Sequence, residues 1–182
     1  MPITINGTGT ISGLSVGGLP DGTVDQDTLA SGVGGKVLEQ KSAKKLGTQS
    51  TDSTTFIDVT DLSCTITPLS ASSKIFITGS MNINKENYTA VFRLMRDSTE
   101  IGVPSGTGGI NHLMNVYPAD NNGSWRTSWH WDDSPNTTSP VTYQMKFRTD
   151  GGGDPTVHVG GHHDNSSTYR TPSYMTVMEI AQ

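Results

Sequence analysis

A chain of 182 residues with 21 glycines, 32% hydrophobic residues and a net charge of −5 has room for one sizeable core plus an extension. Its 12 basic residues are scattered among 17 acidic ones, with Lys41, Lys44 and Lys45 the nearest approach to a cluster, and this excludes the concentrated basic face that nucleic acid requires. Cys64 is the single cysteine, which excludes an intrachain disulfide, and no apolar run reaches the roughly 18 residues of a membrane span, so no membrane insertion is expected.

In chain order, residues 1–35 come first, and they are too glycine-rich and too thinly apolar to fold alone. Ile5, Ile11, Leu14, Val16, Leu19, Val24 and Leu29 stand singly between Gly, Ser, Thr and Asp. One copy therefore cannot bury enough surface to offset roughly 1–2 kcal/mol of backbone entropy per ordered residue. These side chains are read as partner-binding, packing between copies of the chain or against a larger assembly. Pro20-Asp21-Gly22 reads as a turn, and Val24–Ala30 as one or two helical turns that are marginal without support. Ser31–Gly35 carries Gly32, Gly34 and Gly35 and reads as a joint, which sets the domains at 1–35 and 36–182.

Beyond the joint, strand-like segments recur every 8–12 residues or so, the spacing of a sandwich or barrel, and helical patterns are nearly absent. The clearest is Val141–Arg148, where Val141, Tyr143, Met145 and Phe147 share one face and Thr142, Gln144, Lys146 and Arg148 the other. Further strands are predicted at Val37–Lys41, Thr55–Val59, Cys64–Thr67, Lys74–Asn84, Thr89–Met95, Thr99–Val103, Asn111–Tyr117, Arg126–Trp131, Thr156–Val159 and Ser173–Ile180. Turn residues separate them, as at Arg96-Asp97-Ser98 and Ser134–Pro140. No intervening segment has the pattern of a crossover helix, so the pairing is expected to be antiparallel. The fold class that follows is all-β, an antiparallel, jelly-roll-like β-sandwich behind an extended Gly-rich N-terminal segment.

The run Thr4–Ala30 closely resembles the N-terminal segments of tail-fibre and related virion proteins of tailed phages, especially those of marine and freshwater bacteria. Three later stretches carry the same resemblance: Phe56–Pro68 leading into Ser72–Ile77, Phe92–Gly102, and Thr176–Ala181. It covers most of the chain and is weakest over Asn111–Thr138 and Gly151–Thr171. The resemblance implies an elongated homotrimer, held to other virion proteins by residues 1–35, whose distal domain touches host cell-surface glycan or protein. The implied function is that of a small tail fibre in host attachment. The implied location is the virion, after synthesis in the bacterial cytoplasm, and the N-terminus lacks the basic and apolar pattern of an export signal. A capsid head-decoration, cement or head-fibre protein is the alternative, and a carbohydrate-active, tailspike-like enzyme the third reading.

The chemistry-bearing residues are few. His158, His162, His163 and Asp164 gather metal-ligand types in one short stretch, but not at a standard zinc spacing, so an ordinary polar loop is expected and no metal or other cofactor. Trp125, Trp129 and Trp131 fall on one side of a strand. Facing solvent they would form a receptor-facing stacking platform for a sugar ring, and facing inward they would be core or subunit interface. Asp132 and Asp133 are types that could ligate a hard cation, but they read as a solvated pair at a strand end. Asn87-Tyr88-Thr89 and Asn136-Thr137-Thr138 match the glycosylation pattern, which a chain rich in Asn, Ser and Thr produces by chance. No phosphate-binding loop, nucleophile elbow or His-Glu-x-x-His appears, Cys64 lies in an alternating strand, and enzymatic activity is not expected.

Overall fold

The computed structural model describes residues 36–85, 89–106, 111–117, 124–151, 156–161 and 170–182. The N-terminal segment, with Ile5, Ile11, Leu14, Val16, Leu19, Val24 and Leu29, lies outside the described residues, as do His162, His163 and Asp164. A compact unit runs from Val37 to Gln182.

Its strands, among the described residues, are β1 (Val37–Lys45), β2 (Gln49–Thr51), β3 (Ile57–Ile66), β4 (Lys74–Lys85), β5 (Ala90–Arg96), β6 (Thr99–Ile101), β7 (Met114–Val116), β8 (Ser124–Asp133), β9 (Val141–Thr149), β10 (Val157–Val159) and β11 (Ser173–Ile180). No helix occurs among them. Every pairing is antiparallel.

The long β4 organises the first sheet. Along one edge it pairs with β8, and along the other it takes β11 over Lys74–Ser80 and then β10 over Ile83–Lys85. β1 lies outside β11, and β2 outside β10. The second sheet runs β3, β9, β5, with β6 and β7 end to end on the far edge of β5. Counting each end-to-end set as one strand, the first strand pairs with the eighth, the second with the seventh, the third with the sixth and the fourth with the fifth. That is the pairing of one long antiparallel ribbon rolled into two facing sheets, a jelly roll.

Period-two patterning builds the core between the sheets. Val141, Tyr143, Met145, Phe147 and Thr149 of β9 are buried while the residues between them are half-buried. Facing them are Ile75, Ile77, Met81 and Ile83 of β4, Val157 and Val159 of β10, and Met175 and Val177 of β11. The Phe92 and Phe147 rings stack with centroids 6.0 Å apart. Cys64 is buried in β3.

Two predicted strands, Thr55–Val59 and Cys64–Thr67, prove to be one. β3 is continuous but bulged: Thr60 and Asp61 are both exposed, Asp61 has φ +64°, and the register with β9 shifts between Asp58 and Ser63. Thr60 and Asp61, consecutive and both exposed, break the alternation, which then resumes so that Leu62, Cys64 and Ile66 again point inward. Gln144 occupies the gap in the ladder, its Nε2 donating to the carbonyls of Val59 at 3.0 Å and Leu62 at 3.1 Å.

Candidate functional site

The outer face of the second sheet carries the site. Because Tyr143, Met145 and Phe147 point inward, Lys146 and Arg148 point out. On neighbouring β5, Arg93 stands directly opposite Lys146, and Val91 opposite Arg148. The segment before β3 folds over these side chains, as does the segment before β7. Together Thr54, Thr55, Phe56, Arg93, Met95, His112, Lys146 and Arg148 line a cavity of about 560 Å³.

Phe56 is its centre. The Arg93 guanidinium carbon lies 3.4 Å from the ring centroid and that of Arg148 lies 5.1 Å from it, both in cation–π contact. The His112 ring meets Phe56 edge-on, with centroids 5.0 Å apart. Glu100 is shared, with Oε1 2.5 Å from His112 Nδ1 and Oε2 3.4 Å from Arg93 Nη1. Lys146 pairs with Asp58 at 2.5 Å, and Arg148 with Asp150 at 3.0 Å.

Placing Arg93 opposite Lys146 costs free energy, since like charges facing across paired strands repel. Two of the compensating acids sit further out, with side-chain exposure of 58% for Asp58 and 33% for Asp150 against 29% for Lys146 and 17% for Arg148, whereas Glu100 at 21% lies as deep as Arg93 at 26%. Solvent screens the outer charges more than the inner ones, so Asp58 and Asp150 offset Lys146 and Arg148 only in part. Arg93 Nε is buried with no hydrogen-bond partner. Stacking on Phe56, more than hydrogen bonding, therefore holds this guanidinium in place.

The residues singled out in the sequence fall elsewhere. Trp125, Trp129 and Trp131 do share one side of β8, opposite Ile83, Gly79 and Ile77 on the core-facing side of β4. They do not make an open row: Trp129 is core at 7% exposure, Trp125 is half-buried, and Trp131 at 37% is the most open. Asp133 is not a solvated acid. It is buried, and its carboxylate accepts from Arg96 Nη1 at 2.9 Å and from the Tyr143 hydroxyl at 2.7 Å. Arg96 and Tyr143 are both on the second sheet and Asp133 is on the first, so this acid ties the sandwich together. His158 is buried on β10, opposite Asn84 and Ser50. Among the described residues no group of three His, Cys, Asp or Glu side chains is placed to hold a metal ion.

Sequence reasoning did not assemble the Phe56 cavity. The outward phase of Lys146 and Arg148 was readable, but their meeting with Phe56 and Arg93 depends on the β5–β9 register and on a loop closing over the sheet.

No protein-family model and no curated protein matches the sequence. Solved structures of similar shape include a mutant VP2 protein of infectious bursal disease virus in T=1 particles, with a TM-score of 0.37, 14% identity, and coverage of 79% of this chain and 36% of that one. The VP2 subviral particle of the same virus gives a TM-score of 0.35 and 13% identity, over 90% of this chain and 42% of the other. The chain thus spans well under half the length of these VP2 chains.

Proposed function

We propose that this chain is a virion structural protein, a small trimeric tail fibre that takes part in attachment to the host surface and works through surfaces, not catalysis. The observation that carries the reading is the union of two unlike parts. Residues 1–35 hold isolated apolar side chains that need partners, and Val37–Gln182 is a jelly roll with a buried core of its own. The first part suits anchoring and trimerisation beside other virion proteins. The second suits presentation of a rigid surface. The resemblance of Thr4–Ala30 to the N-terminal segments of phage tail-fibre and related virion proteins supports the assignment to a virion.

Gold labelling of the protein on purified particles tests the position, with quantitative mass spectrometry giving copies per particle. A few trimers confined to the tail are expected. Hundreds of copies over the capsid would replace the fibre by a head-decoration protein.

A further inference from the structure

The geometry points to the Phe56 cavity as a receptor pocket for an acidic saccharide unit, a sugar ring bearing a single carboxylate, as in a uronate-containing surface polysaccharide. The inference deepens the attachment function proposed above and rests on it for the source of the ligand.

Four features select this chemistry. First, Arg93, Lys146 and Arg148 converge on one cavity, and Arg93 and Lys146 repel each other across the strand pair. A carboxylate between them would relieve that repulsion through charge-assisted hydrogen bonds. Secondly, the guanidinium of Arg93 retains donor capacity: Glu100 Oε2 is a long 3.4 Å away, and the contact with Phe56 uses the face of the group, not its N–H edge. Thirdly, Met95 and Phe56 supply apolar lining while Thr54 and Thr55 supply hydroxyls, the mixture that a ring with C–H faces and O–H edges requires. Fourthly, Asp58, Glu100 and Asp150 surround the cations. They would repel an extended polyanion such as nucleic acid yet tolerate one isolated negative charge, which is discrimination by like-charge placement. The cavity of about 560 Å³ is open to solvent, as a subsite for one unit of a longer glycan chain would be.

Calorimetric titration of the full chain at low salt tests this, with an oligosaccharide carrying a single glucuronate unit as the acidic probe and the corresponding neutral glucose oligosaccharide of equal length as control. Saturable binding of the acidic probe is expected, with none of the neutral one. Lys146→Gln and Arg148→Gln should each weaken binding about tenfold, the loss of one charge-assisted contact. Circular dichroism and melting of each variant establish that it is folded. The pocket assignment is overturned if the neutral probe binds equally well, if both folded variants bind like the parent, or if the acidic probe fails to bind up to about 10 mM. None of these results would alter where the protein sits on the particle, so failure of the pocket and failure of the fibre assignment are separately visible.

Discussion

Trp129 fills the space in front of Gly79. A Cβ built on Gly79 would fall 2.2 Å from Trp129 Cζ2 and 2.7 Å from the carbonyl oxygen of Tyr174. The two residues are register partners on β4 and β8, so the missing side chain is what lets the indole close the inner face of the first sheet. Gly79 is thus a packing residue in mid-strand, where glycine is otherwise unfavourable.

Gly79→Ala should therefore destabilise the domain by about 1–3 kcal/mol or more, because backbone as well as side chain must give way. Urea unfolding followed by tryptophan fluorescence measures it. A variant within about 0.5 kcal/mol of the parent would show that the indole has another place to go.

The Asp133–Tyr143 contact predicts a pH dependence. Burial first, and then the hydrogen bond and charge of Asp133, raise the Tyr143 hydroxyl well above its ordinary value. The folded form keeps its proton while the unfolded chain loses one above about pH 10. The stability from this site is therefore complete below that pH and lost progressively above it. Tyr143→Phe should cost about 1–3 kcal/mol at neutral pH, and the gap between parent and variant should narrow above pH 10 or so. Comparing the two proteins removes the contribution of Lys45, whose ammonium is pushed down by burial, partly opposed by Asp61, and which makes stability rise with pH. A gap that stays constant to about pH 11.5 would contradict the account.

Gln144 and the β3 bulge make a third case. Its amide nitrogen serves the carbonyls of Val59 and Leu62, which the bulge removes from the ladder. Gln144→Met keeps the length and leaves both acceptors without this donor, so a loss of about 1–3 kcal/mol is expected in chemical denaturation. Gln144→Glu should fare no better, since a carboxylate would face two carbonyls. Full stability of either variant would mean that the bulge needs no side-chain donor.

How far these relationships were legible depends on whether they obey a local period. β9 and β11 were readable because each alternates cleanly. β3 read as two strands because Thr60 and Asp61 interrupt the alternation, and the residue that repairs the gap, Gln144, lies on another strand. β2 was missed because Gln49-Ser50-Thr51 has no apolar pattern and becomes a strand by lying beside β10. Asp133 read as a surface acid because Arg96 and Tyr143 approach it only once the sheets pack. The Phe56 cavity was hidden for the same reason. It is made by register and loop closure, which no window of sequence contains.

The central claim is that residues 1–35 supply the trimer contact, while Val37–Gln182 holds a buried core of its own. Sedimentation equilibrium at micromolar concentration tests it on two proteins, the full chain and residues 37–182. The account predicts a full-length species of roughly 58 kDa, three copies of the 19.4 kDa chain, and a shortened chain that is folded and monomeric. A full-length chain that sediments as a stable, folded 19.4 kDa monomer would contradict it.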